Sequence, residues 1–156
     1  MMTSLCCEVL TRLTGKTLVT AESLTGGGIG AALTAIPGSS AVYKGGVISY
    51  TNWVKHHILD VPQDALDTAG AVSALVAESM AMGARNKLQA DVAVSVTGLA
   101  GPGGDDYGNP VGTVYVGYAD AKKVVSRHFV FVGDRQAVRA QAVKAALELI
   151  LEEYDG

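Results

Sequence analysis

Ser23 stands in "TLVTAESLTGGG" (17–28), where a β-rich run meets three glycines. A hydroxyl at such a junction supports three chemistries: it caps the helix that follows, helps hold an anion, or attacks a carbonyl carbon. The amides of the turn at Gly26 and Gly27, with the positive end of the following helix dipole, would steady an oxyanion or a phosphate. A plain capping role for Ser23 or Thr25 is the competing reading.

A serine attacks only if a base removes its proton. His56, His57 and His128 fit no serine-hydrolase pattern, and G-x-S-x-G is missing around Ser23. The other available base is a lysine whose ammonium is desolvated, which lowers its pKa until a neutral amine is accessible near pH 7. Lys55 follows "GGVISYTNWV" at a junction similar to that of Ser23, with Tyr50 five residues before it to pass the proton or hold both groups in register. A solvated Lys55 and a Tyr50 that merely packs are the alternatives.

The loop "TGLAGPGGDDYGNPVGT" (97–113) is the third place for chemistry. Thr97, Gly98 and the glycine amides beyond them could close over a small anionic substrate. The loop matches neither the Walker pattern nor a dinucleotide fingerprint, so a phosphotransferase is not indicated. Adjacent Asp105 and Asp106 lack partner ligands at supporting intervals and read as turn residues; no metal site is expected.

These groups must be positioned by elements that the residue pattern predicts. Residues 3–14 carry Leu5, Val9, Leu10 and Leu13 at helical spacing, with Gly15 as the stop. A strand is expected over 17–22, then a small-residue helix over 28–36 ending before Pro37. Strand on either side of a Gly-Gly interruption is predicted for 41–51, and a short helix for 52–59, ended by "DVPQ". Val72, Leu75, Val76, Met80 and Leu88 mark a helix over 71–88. Strands are expected at 90–98, 111–119 and 124–132, and a last helix from Asp134, its N-cap, to Tyr154, burying Val138, Ala142, Ala145, Leu149 and Ile150. Helices interleave with strands early and two strands run together late. The fold class predicted is α/β, a single domain over 1–156 with a mixed β-sheet and helices packed on its faces.

A chain of 156 residues is long enough for one substantial core. Its net charge of −3 is scattered, which argues against a nucleic-acid surface. Apolar residues make up 49% but form no run of the roughly 20 needed to cross a membrane. The first residues lack the basic leader and apolar segment of a signal peptide, so the chain reads as cytoplasmic. Cys6 and Cys7 are adjacent, which rules out an ordinary disulfide between them, and are expected to be buried or partly buried thiols. Small-residue helices at 28–36 and 71–84 would allow close packing against a neighbour, and a homo-oligomer, dimer or larger, is expected.

Taken in order, "TAESLTGG", "GGVISYTNWVK", "GAVSALVAESMAMGA", "TGLAGPGG" and "NPVGTVYVG" resemble the CinA C-terminal-domain family over residues 5–150. The resemblance implies a nicotinamide mononucleotide deamidase with Ser23 as nucleophile and Tyr50 and Lys55 activating it, acting without metal or organic cofactor. It also implies that Arg135 and Arg139 of "GDRQAVRAQ" meet the substrate phosphate, and that Ser40, Thr97, Gly98, Gly26 and Gly27 line the pocket. Two departures stand out. Relatives often follow "AGPGG" with a Thr, an acidic residue and a Lys, where this chain has "DDYGNP", and many carry a long N-terminal domain of molybdopterin-binding type, so a stand-alone form is expected. The other function the resemblance allows is a non-catalytic binding module of a competence or DNA-damage-associated protein.

Overall fold

Every residue of the strand Leu18–Glu22 (β1) is buried, as a strand covered on both faces must be. In the computed structural model, which describes residues 1–156, this strand lies between Tyr43–Ile48 (β2) and Val92–Gly98 (β3) and runs parallel to both. Thr113–Ala119 (β4) and Val124–Val130 (β5) continue antiparallel, giving one five-stranded mixed sheet in the order β2-β1-β3-β4-β5. This is the α/β, single-domain architecture the residue pattern predicts.

Six helices cover the sheet: Met2–Arg12 (α1), Gly28–Thr34 (α2), Asn52–His57 (α3), Gln63–Thr68 (α4), Ala74–Lys87 (α5) and Arg135–Glu153 (α6). The pleat divides the core into two halves, because successive side chains of a strand point to opposite faces. Val92, Val94 and Val96 of β3 pack with α1, α2 and α6. Ala93, with Val19 and Ala21 of β1, packs with α4 and α5. The same alternation at the end of β1 decides the chemistry, since it sends Glu22 towards α2 and leaves Ser23 facing α3.

Three expectations need correction. The Gly-Gly pair does not interrupt a strand: Gly45 and Gly46 lie inside β2, which absorbs one irregular register step against Leu18 and Val19. A Cβ on Gly46 would sit 2.2 Å from the Thr20 hydroxyl oxygen, so the bare backbone is what lets β2 close on β1. Between the short helix and the next, where the residue pattern predicts no element, lies α4, whose six residues are too few to show a helical period. Leu75 does not join the buried face of α5; it is 52% exposed, and the face against the sheet is Val76, Ala77, Met80, Ala81 and Ala84. Cys6 is buried, whereas Cys7, pointing to the other side of α1, is exposed.

The small residues of α2 and α5 are used within the chain. A Cβ on Gly117 of β4 would meet the Ala77 carbonyl oxygen at 2.3 Å, and one on Gly83 of α5 would meet the Leu59 carbonyl oxygen at 1.9 Å. On the other face, a Cβ on Gly30 of α2 would lie 2.7 Å from the Tyr43 hydroxyl.

Candidate active site

Ser23 leaves the sheet while its amide still donates to the Val96 carbonyl, so β3 fixes its backbone. Thr51, its side chain accepting from the Val54 amide, starts α3 and brings Lys55 back over the end of the sheet. Lys55 is 2% exposed, and its Nζ lies 3.0 Å from Ser23 Oγ, 2.8 Å from the Ser49 carbonyl and 3.3 Å from the Tyr50 carbonyl. No carboxylate pairs with it. Desolvation therefore acts unopposed and lowers the Lys55 pKa to about 8. A neutral amine has two N–H groups and one lone pair; the two carbonyls suit the N–H groups, and the lone pair is left for the serine hydroxyl. The buried Ser49 hydroxyl beside them has no partner.

Two clamps hold the turn that carries Ser23. Glu22, buried beneath it, accepts from the Thr25 hydroxyl at 2.7 Å, the Thr20 hydroxyl at 3.1 Å, and the Ile29 and Gly30 amides at 2.8 and 3.0 Å. This carboxylate caps α2 from outside the helix, which has only Gly27 at its own N-cap position. From above, Arg139 of α6 donates through Nε to the Leu24 carbonyl at 2.9 Å and through Nη2 to the Thr25 carbonyl at 3.2 Å. Gly26 and Gly27 take φ values of +59° and +102°, which the tight turn demands. The amides of Leu24 and Thr25 donate to no atom of the chain.

An open pocket of about 460 Å³ lies in front of this pair, lined among others by Ser23, Lys55, Thr97, Gly98, Asp106 and Tyr107. A smaller one of about 140 Å³ adjoins it, shares Tyr50, Gly98 and Leu99, and has Arg135 as its only charged residue. Their combined size suits a mononucleotide. The outer wall is the glycine loop, pinned by Asp105: Oδ1 accepts from the Tyr107 and Asn109 amides and Oδ2 from Asn109 Nδ2. Desolvation pushes the Asp105 carboxyl up, but the bonds from Asn109 and Tyr107 prevail and hold it below the usual carboxylate range. Tyr107 ties the wall to α4 through the Asp67 carbonyl at 2.8 Å.

The structure brings Ser23, Lys55, Tyr50, Thr97 and Gly98 to the larger pocket and Arg135 to the smaller one beside it, with Gly26 and Gly27 in the turn behind, but alters several roles. Tyr50 places its carbonyl, not its phenol, on Lys55; the phenol meets Arg135 Nη2 at 3.1 Å, so no relay stands between serine and lysine. Arg139 is committed to the serine turn rather than turned to a ligand. The amino end of α2 serves Glu22, so it is not the anion site that the glycine run suggests. Thr97 Oγ1 donates to the Ala71 carbonyl at 2.8 Å. Ser40 is exposed in a 3-10 turn, Ser39–Ala41, beside the start of β1, at the opposite end of the sheet from Ser23.

Sequence reasoning passed over Glu22, the Ser49 carbonyl and the Asn109 pin. For Glu22 the signal was present: an acidic residue closing an otherwise apolar strand, a few residues before a helix with only glycine at its start, is positioned to cap that helix.

The family model for the CinA C-terminal domain matches residues 3–154. A CinA-like protein of Synechococcus sp. is 58% identical over 115 residues, 72% of this chain and 27% of that protein. A CinA-like protein of Parasynechococcus marenigrum is 48% identical over 144 residues, 89% of this chain and 34% of that protein. The chain thus spans about a third of the length of the curated relatives it matches. Among solved structures, a competence-damaged protein (CinA) superfamily protein from Escherichia coli superposes with a TM-score of 0.96 at 35% identity, covering 99% of this chain and 91% of that one. The competence/damage inducible protein CihA from Agrobacterium tumefaciens gives 0.93 at 39% identity, covering 97% and 94%.

Proposed function

The chain belongs to the CinA C-terminal domain family, and on that premise we propose that it hydrolyses the carboxamide of nicotinamide mononucleotide to nicotinate mononucleotide and ammonia. The observation that carries this reading is the direct 3.0 Å contact between Ser23 Oγ and the buried, unpaired Lys55 amine. The neutral Lys55 takes the hydroxyl proton as Oγ adds to the carboxamide carbon. The Leu24 amide, next to the nucleophile and free of a partner in the chain, is assigned to the oxyanion. The Lys55 ammonium returns its proton to the leaving nitrogen, the C–N bond breaks, and ammonia departs from an ester on Ser23. Water, losing a proton to the again neutral Lys55, adds to the ester carbon; the C–Oγ bond breaks, the Lys55 ammonium returns the proton to Oγ, and the carboxylate product leaves. Arg135, at the neighbouring lobe, receives the phosphate. In the cell this chemistry would return nicotinamide mononucleotide to the pyridine nucleotide pool.

The test is ammonia release from the mononucleotide, with free nicotinamide as a second substrate. Wild-type protein is expected to act on the mononucleotide, and Ser23→Ala to lose at least about a thousandfold in rate while keeping its fold. No ammonia from folded wild-type protein would overturn the hydrolase and favour a non-catalytic binding module.

A further inference from the structure

Two carboxylates line the larger lobe, and they differ in one respect. Asp105 is consumed by the loop, its two oxygens accepting three hydrogen bonds. Asp106, the next residue, lines the same lobe and makes neither a hydrogen bond nor an ion pair within the chain. It stands on a fixed support: Tyr107 on one side is anchored to the Leu66 and Asp67 carbonyls, and Asn109 is tied to the Val72 carbonyl at 3.3 Å. The only cationic group in the lobe is Lys55, which must shed its charge to act as a base. The next cation, Arg135, belongs to the smaller lobe. The cleft is therefore polarised, with uncompensated negative charge near the serine and positive charge one lobe away.

We propose that Asp106 is a specificity-determining residue that selects ligands whose pyridine ring carries a positive charge. A ligand with its carboxamide at Ser23 and its phosphate at Arg135 must lay its ring across the acidic lobe. An N-alkylated pyridinium carries one positive charge there, whereas the reduced, 1,4-dihydropyridine form of the same nucleotide has the same outline and no ring charge. A carboxylate exposed to the cleft on a loop anchored at its neighbours, with no partner of its own, distinguishes the two by electrostatics alone. The inference rests on the deamidase reading for its ligand class, but the selectivity shows in binding whether or not turnover occurs.

The experiment is calorimetric titration of oxidised and reduced nicotinamide mononucleotide into Ser23→Ala protein and into the Ser23→Ala/Asp106→Asn double variant, beside ammonia release by the wild type. Because the Asp106 side chain holds nothing within the chain, Asn substitutes for it without disturbing the loop. The Ser23→Ala protein is expected to bind the oxidised form about tenfold more tightly. Asp106→Asn should remove most of that gap by weakening the oxidised form alone, and Asp106→Glu should keep it. An unchanged gap in the Asn variant, an equal loss for both forms, or no binding of either form at millimolar concentration overturns the inference. Ammonia release with an unchanged gap leaves the deamidase standing without this selectivity. A gap that Asp106→Asn erases, in a protein that releases no ammonia, does the reverse.

Discussion

At the scale of the residue, the arrangement around Lys55 Nζ makes the proposed catalysis depend on one proton. Below pH 8 the amine is protonated, all three of its N–H groups are occupied, and no lone pair faces Ser23. The ratio kcat/KM should therefore rise about tenfold per pH unit up to about 8 and level above it. A profile flat between pH 6 and 9 would exclude Lys55 as the base. The same group makes stability pH-dependent with a definite sign. Its folded pKa is lower than its unfolded one, so the unfolded chain binds more protons between about 8 and 10.5, and stability rises with pH across that window. Tyr50 offers a complementary test. Because its phenol bonds Arg135 and not the serine or lysine, Tyr50→Phe should act mainly on KM and cost about tenfold or less, whereas a proton relay through the phenol would show as a collapse of kcat.

At the scale of the element, the serine turn is only as firm as the carboxylate beneath it. Glu22→Ala would leave the Ile29 and Gly30 amides and the Thr25 hydroxyl without their acceptor, at a cost of about 3 kcal/mol or more in urea unfolding. Glu22→Gln should also destabilise, since its amide nitrogen would face an N–H donor. Against the opposite face, Gly117→Ala would push a methyl into the Ala77 carbonyl and cost about 1–3 kcal/mol as α5 moves off the sheet. These contacts mark the limit of what the sequence disclosed. The long helices at α5 and α6 and the buried strands announce themselves through periodicity, because each places one side or both against a core. So does the place of Ser23 at the end of a strand, whereas Lys55, on the short helix α3, is given its part only by the family resemblance. Which atom of Tyr50 would be used did not follow, because spacing along the chain says nothing about whether a side chain or its own carbonyl faces a neighbour. Nor did the second task of Arg139, since its partners at Leu24 and Thr25 lie 115 and 114 residues away. Ser40, which only the resemblance put at the pocket, stands beside the start of β1 at the far end of the sheet.

At the scale of the whole molecule, the site gathers at one end of the sheet, where β1 and β3 finish and α6 begins. The two arginines of α6 lie one turn apart and divide the labour, Arg135 at the pocket and Arg139 on the turn behind it. Arg135→Ala should raise KM for nicotinamide mononucleotide by about tenfold or more while leaving the poorer, phosphate-free riboside unaffected; equal losses for both would deny it contact with the phosphate. No helix of the chain is long and apolar enough to cross a membrane. The reach of Arg139 back to Leu24 also bears on how the protein is made. Translation delivers Ser23 more than a hundred residues before the guanidinium that steadies its turn, so a nascent chain halted short of residue 139 carries the Ser23 hydroxyl without its upper clamp. The proposed nucleophile is among the first parts of the site to leave the ribosome, and its upper clamp is among the last.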